Sequence, residues 1–416
     1  MRAQARQPCA SRLRSRLRTA ILRRVRGGRR SRLALALAAL AAVPAVSVAV
    51  LAGGSAQARP GASGQPPGPG SDCFGDLSAD GVPQRPGPLM RYGITPRVQA
   101  GQVGGAPAQA VPERPEETHR ALARLRPRQG PFVVRLNRLF FSDGDKAIRE
   151  FEALTKRYTS RGYLVEYQLR YHPSEAQEGD IGAWVRFVRK AVRRLGDDPR
   201  VTAFQVTNEV NLEFSADSSD GAYRGAKAAL VKGVIAAKDE AERRGHDQLE
   251  IGFNWFYRTD PGNERSFWEH LRDEGGSRFV RAVDWIGLDA YPDTFFPPIE
   301  PPGDERDGMV NAMSTLRCLA RIPSIPKRVP MHVEENGWPT YPGRSYERQA
   351  QFLRNVVDAV HDFRGTYNVT DYRWFNLRDA DTSSPAIAQH YGLLEDDYDR
   401  KPAFGDYREL VRARTR

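Results

Sequence analysis

Arg200-Val201-Thr202-Ala203-Phe204-Gln205-Val206-Thr207-Asn208-Glu209-Val210-Asn211 is the stretch on which the reading of this chain turns. Alternation puts Phe204 and Val206 on one face and Ala203, Gln205, Thr207 and Glu209 on the other. That pattern suits a strand in a barrel wall, with one face packed on helices and the other leading to a polar turn at its C-terminal end. A second stretch has the same layout. Pro330-Met331-His332-Val333-Glu334-Glu335-Asn336-Gly337-Trp338-Pro339 reads as a short strand that runs into an acidic turn bearing Gly and Trp.

Outward from these two stretches, strand and helix patterns alternate. Strands are predicted at 91–95, 132–137, 164–169, 201–207, 249–255, 283–291, 330–335 and 372–376. Helices are predicted at 115–125, 145–159, 181–195, 222–244, 266–272, 307–321, from Ser345 onward, and at 403–411. The clearest is 181–195, where Ile181, Trp184, Val185, Val188, Ala191, Val192 and Leu195 make one apolar face. Arg186, Arg189, Lys190, Arg193 and Arg194 make a basic opposite face, which reads as the solvated outside of a barrel helix. Eight such units over 89–416 predict a single TIM (β/α)8 barrel. An open doubly wound sheet is disfavoured, because no Gly-rich phosphate turn follows the first strand.

The chain has 416 residues and a formal net charge of +12, which taken whole suggests a nucleic-acid binder. Residues 1–58 hold 12 Arg and no acidic residue, so the remainder carries 51 basic against 51 acidic residues. A domain of zero net charge offers no electrostatic case for nucleic acid or an anionic surface. The first 58 residues read as a signal peptide or signal anchor. Arg-rich sequence to Arg32 precedes an apolar run from Leu33 to Leu51 and a small-x-small site at Ala56-Gln57-Ala58. Arg29-Arg30 partly resembles a twin-arginine signal. A secreted or extracytoplasmic domain is expected, touching a membrane only if the apolar run stays as an anchor. Residues 59–88, rich in Gly and Pro, read as a linker or as a wrap across the barrel floor. Cys73 and Cys318 are the cysteines beyond the export segment, and the sequence leaves open whether they are bridged.

From Leu89 on, the chain resembles the clan A retaining glycoside hydrolases, with no one family singled out. Asn208-Glu209 resembles the clan's Asn followed by its acid/base after strand four. Glu335, in Glu335-Asn336-Gly337-Trp338-Pro339, is similar to the nucleophile after strand seven. Arg135 resembles the Arg beside that nucleophile, Tyr291 its orienting Tyr, and Trp374 the sugar-stacking Trp of strand eight. Gly392-Leu393-Leu394 and Lys401-Pro402-Ala403-Phe404 resemble the approach to the last helix. Val210 departs from the pattern, which usually has Pro after the acid/base.

The resemblance implies hydrolysis of a β-linked polysaccharide by double displacement, with no cofactor or metal, on a monomer. A transglycosylase and a noncatalytic carbohydrate-binding or cell-wall protein on the same barrel are the alternatives. The chemistry needs one protonated carboxyl and one ionised carboxylate about 5 Å apart. Arg135 would hold Glu335 ionised, Tyr291 would orient it, and the Asn208 amide would meet a sugar hydroxyl. Trp255, Tyr257, Trp338 and Trp374 are expected to stack on sugar faces. Glu334 is read as a supporting or outward residue, because strand parity groups Met331, Val333 and Glu335. His172 reads equally as a cleft residue or a structural one, and Trp184 and Trp268 as core. The loops at 211–221 and 292–304 carry Glu213, Phe214, Phe295, Phe296 and Glu300, suited to flanking an extended cleft.

Overall fold

The computed structural model describes residues 73–96, 102–103, 106–107, 110–214, 216, 218–295 and 305–415. The expected export segment lies outside the described residues, as do residues 59–72, Phe296 and Glu300. The barrel strands are β1 (Arg91–Ile94), β2 (Phe132–Phe140), β3 (Leu164–Arg170), β4 (Val201–Val206), β5 (Glu250–Phe256), β6 (Trp285–Asp289), β7 (Met331–Asn336) and β8 (Val369–Trp374). The helices are α1 (Pro115–Leu125), α2 (Gly144–Thr159), α3 (Ile181–Leu195), α4 (Ala226–Arg244), α5 (Pro261–Ala282), α6 (Glu305–Leu319), α7 (Tyr346–Tyr367) and α8 (Pro402–Arg414). All eight strands pair in parallel, and β1 meets both β2 and β8 to close the barrel. This is the TIM barrel that the alternating pattern predicts.

Side chains at the helix starts explain several boundaries. Asp180 caps α3 by accepting from the Ala183 amide, and Ser345 caps α7 by accepting from Arg348 N. Two predicted boundaries need correction. The helix expected at 266–272 is the 22-residue α5, which starts at the Asp260 cap with Pro261 in its first turn and crosses a break at Gly276, where φ is 53°. Its glycines disguise its length in the sequence. The last strand occupies Val369–Trp374, so Phe375 and Asn376 belong to the loop beyond it.

Residues 73–88 fold back along the helices. A disulfide joins Cys73 to Cys318 of α6, and the Leu77 and Ala79 amides donate to Asn311 Oδ1 and Asp307 Oδ1 at 2.8 and 2.7 Å. The segment then passes the end of α7, where Arg364 Nε donates to Pro88 O at 3.1 Å. Folded structure therefore begins well before Leu89.

The barrel interior is unusually charged below the site. Arg373 donates to Glu166 Oε2 at 3.0 Å and Asp371 Oδ1 at 2.7 Å, and Arg91 donates to Asp371 at 2.9 Å. His332 lies 3.2 Å from both Glu334 and Asp371 and stacks on Trp285 at 4.4 Å. All these groups except Arg91 are fully enclosed, so each charge depends on its partner. Removing one member of such a set costs about 3–5 kcal/mol.

Candidate active site

Glu209 sits on a loop forced into unusual backbone geometry. Thr207 and Glu209 have φ values of 67° and 45°, which side-chain-bearing residues adopt at a cost. Neighbours hold them there. Asp220 Oδ2 accepts from Asn208 N at 2.9 Å and from Tyr171 N at 2.7 Å, and Asn254 Oδ1 accepts from Glu209 N at 2.9 Å. Val210 is buried in the core.

Glu335 reaches the same space from β7. The pairing of β6 with β7 slips by one residue between Val333 and Glu335, a bulge centred on Glu334. Both glutamates consequently face the interior, which corrects the parity argument. His332 and Glu334 point inward, so Met331 and Val333 lie on the opposite face, and the bulge restores Glu335 to the inner one. Glu335 Oε1 accepts from Arg135 Nη1 at 2.8 Å and Gln168 Nε2 at 3.2 Å, while Oε2 accepts from the Tyr291 hydroxyl at 2.9 Å. Glu334 lies beneath, 3.1 Å from Arg135 Nε. Gly337 follows because a Cβ there would lie 2.3 Å from Phe375 O.

Arg135 is the hub. It is fully buried and pairs with Glu335, Glu334 and Glu166, and its Nη2 donates to Gln205 Oε1 at 2.6 Å. These carboxylates hold its guanidinium above the ordinary arginine range against the opposing effect of burial. Asn208 Oδ1 accepts from Gln168 at 2.7 Å, Asn254 at 2.8 Å and Gln205 at 3.2 Å, and its Nδ2 donates to Ser218 O. The amide expected to meet a sugar hydroxyl is thus already tied into the strand-end network.

The carboxyl oxygens of Glu209, Asp289 and Glu335 lie within 4.8 Å of one another. Burial first, and then the charge of Glu335, push Glu209 up to about 8. Asp289, at the end of β6, is raised well above its ordinary range by burial and by both glutamates. Gln168, Asn254 and Asp289 were missed in the sequence. For Gln168 the signal was there: on β3, Glu166, Gln168 and Arg170 alternate with Val165, Tyr167 and Leu169, the mark of a polar interior face.

The predicted tryptophans lie elsewhere. Trp255 is fully buried, stacks near Trp268 of α5 and donates to Glu264; Trp374 is fully buried against Phe352 of α7. Trp338 lies under Arg344, whose guanidinium is 3.6 Å from the ring centre, and donates to Asp293 at 3.0 Å. Tyr257 is buried, edge-on to the Trp255 ring at 5.8 Å. Parity explains Trp255 and Trp374, since both alternate with inward residues. The residues next to them, Phe256 and Phe375, join Leu212, Tyr291 and Tyr391 in a separate apolar cluster at the strand ends. Phe214 and Phe295 stand exposed on the flanking loops, and Phe295 lies 5.7 Å from the Tyr291 ring. His172 stacks on Phe140 at 4.4 Å beyond β3, and Trp184 and Trp268 are buried.

Among the described residues, two groups bring ligand-type atoms close together: Glu166 with His332 and Glu334, and Glu209 with Asp289 and Glu335. The first is compensated by Arg135 and Arg373, and the second engages Arg135, Gln168, Asn254 and Tyr291. The donors are those of a proton-handling site with an internal counter-cation, and neither group is read as a metal centre.

No family model and no curated protein matches the sequence. Solved structures do. A GH5_18 protein from Bifidobacterium longum subsp. longum is similar at a TM-score of 0.56 and 15% identity, covering 78% of this chain and 79% of that one. The family 1 β-glucosidase from Thermotoga maritima gives 0.54 and 11%, covering 79% and 98%. Two fungal β-1,4-galactanases are represented at 0.53 and 12%, covering 77% and 100%. The neighbours are glycoside hydrolases of the clan that the motifs resemble, and at these identities the likeness is one of fold.

Proposed function

We propose that this protein is an exported, retaining β-glycoside hydrolase acting on a β-linked polysaccharide. The observation that carries the reading is the convergence of Glu209 and Glu335 from the ends of β4 and β7, with one oxygen of each no more than 4.8 Å from the other, close enough for the retaining arrangement. Retaining enzymes hold their carboxyls about 5–5.5 Å apart, whereas inverting ones need about 6.5–9.5 Å to admit a water. Glu335, paired with Arg135 and oriented by Tyr291, attacks the anomeric carbon. Glu209 protonates the departing oxygen as the glycosidic bond breaks. It then takes a proton from the water that displaces Glu335. Phe214 and Phe295 on the flanking loops support an extended cleft. Export is supported by the Arg-rich, apolar, small-x-small order of residues 1–58 and by the Cys73–Cys318 bridge, which suits an oxidising compartment.

Azide separates the two roles. Glu209→Ala is expected to form the glycosyl-enzyme from substrates with good leaving groups and, with azide, to give a β-glycosyl azide. Glu335→Ala is expected to lose turnover of natural and activated substrates alike, any azide product having the opposite configuration. Unchanged turnover in both variants would move the site elsewhere. Tight binding of β-glycans without turnover by the wild type would favour a noncatalytic carbohydrate-binding protein.

A further inference from the structure

We propose that Asp289 is a positioning residue for the acid/base, sharing one proton with Glu209 and returning Glu209 to its proton-hungry state after the first half-reaction. This rests on the assignment of Glu209 and Glu335 above. Asp289 Oδ2 is held by Asn254 Nδ2, which also donates to Asn208 Oδ1. Its Oδ1 is buried and accepts no hydrogen bond from an amide or hydroxyl of the described residues. The group it faces is the Glu209 carboxyl, one oxygen of which lies within 4.8 Å of an Asp289 oxygen. Two carboxyl groups can bond only through a proton carried by one of them.

The cations around the pair are largely engaged by other carboxylates. From β2 comes Arg135, already engaged by Glu335, Glu334 and Glu166. From β3 comes Arg170, whose Nε is taken by Asp220 at 2.7 Å and whose buried Nη2 has no hydrogen-bond partner among the described residues. β7 contributes the Glu335 and Glu334 carboxyls, the loop after β6 contributes the Tyr291 hydroxyl, the loop after β8 contributes the Tyr391 hydroxyl, and β5 contributes the neutral Asn254. Glu209, Asp289 and Glu335 therefore carry one proton among them and a net charge of −2. Like carboxylates in contact cannot all ionise at neutral pH.

The balance holds through the reaction. In the first step a Glu335 oxygen bonds the anomeric carbon, the glycosidic bond breaks, and the proton of the pair passes from Glu209 to the leaving oxygen. Glu335 is now a neutral ester, while Glu209 and Asp289 are both ionised and in contact. Their repulsion raises the proton affinity of Glu209, which takes a proton from the attacking water as that water displaces Glu335. The pair then regains its shared proton.

Asp289→Asn tests this, being isosteric and able to keep the Asn254 contact. The substitution removes a charge and offers an N–H to ionised Glu209, so the alkaline limb of kcat/KM should move down by about one pH unit or more. Near the wild-type limb, turnover of poor leaving groups should fall about tenfold, and glycosylation by aryl glycosides with good leaving groups far less. A uniform loss with the limb unmoved would overturn the proposal. A second measurement needs no substrate: infrared titration of the protonated-carboxyl absorption, in a Glu166→Gln background that removes another buried acid held up to about 8. Without Asp289→Asn the band should persist past neutrality, and with it the midpoint should fall. An unmoved midpoint refutes the pair even in an active enzyme. A shifted midpoint in a protein that hydrolyses no glycoside keeps the pair and removes the glycosidase assignment.

Discussion

Glu334 and Glu335 are adjacent in the sequence, yet one bulge gives them different work. Glu335 opens toward Glu209, and Glu334 stays beneath Arg135 and His332. Glu335→Ala is expected to lower kcat by at least about 10⁴-fold, because it removes the bond-forming atom. Glu334→Gln keeps a polar partner for Arg135 and is expected to cost about tenfold. If Glu334→Gln were as inactive as Glu335→Ala, the two roles would have to be exchanged. The pH profile belongs to this scale too. Glu209, pushed up to about 8, must be protonated to act as acid, so kcat/KM should fall as pH rises through about 8. A rate independent of pH from 6 to 9, on a substrate with a poor leaving group, would contradict this. Both glutamates could be read from the sequence because each sits in a recognisable motif at or just beyond a strand's C-terminal end. Asp289 could not, since its importance lies in a carboxyl delivered from another strand.

At the scale of the element, alternation decides what a strand end shows to the site. On β5, Asn254 and Phe256 face inward and Trp255 faces α5; on β8, Arg373 and then Phe375 face inward and Trp374 faces α7. Trp374→Phe is therefore expected to lower stability by about 1–3 kcal/mol with KM little changed. Phe375→Ala is expected to raise KM for oligosaccharides by about tenfold, through loss of an apolar surface at the cluster. Calorimetry and steady-state kinetics on both variants check this, and the reverse pattern would place the sugar on Trp374 after all. Sequence composition favoured the tryptophans because a large ring at a strand end looks like a sugar platform. What it could not supply was the inward parity of β8, which Asp371 and Arg373 set through partners on other strands and which Phe375 continues past the strand's end. The same limit applied to β7, where a one-residue bulge is invisible in a run of alternating residues.

Across the whole molecule, the barrel was readable because eight periodic units leave few other topologies. Its charged interior was not, because the partners come from strands far apart in the chain. That interior couples folding to pH. Glu166, enclosed beside Glu334, is pushed up to about 8, so the folded state holds a proton that the unfolded chain releases. A raised carboxyl contributes stability that is fully present below its ordinary range and is lost as pH rises toward 8. Thermal midpoints should decline between pH 5 and pH 8, by up to about 1.4 kcal/mol per pH unit for this group, and Glu166→Gln should flatten the decline. An unchanged slope in Glu166→Gln would show that the proton is held elsewhere. Asp371 acts with the opposite sign. Held below its ordinary range by His332, Arg373 and Arg91, it favours the folded state above that range and withdraws the benefit in strong acid.

The disulfide ties residues 73–88 to α6 across 245 residues of chain. Its reduction should lower the thermal midpoint while leaving kcat/KM of the folded enzyme intact, because the bridge is remote from the strand ends. The assignment as a whole depends on Glu335 acting as a nucleophile, and stereochemistry reports on that alone. Two displacements at one carbon return the original configuration. Proton NMR of the first product released from a β-glycoside should show the β-anomer before mutarotation sets in. Initial release of the α-anomer would mean that water attacks directly, and Glu335 would cease to be the nucleophile.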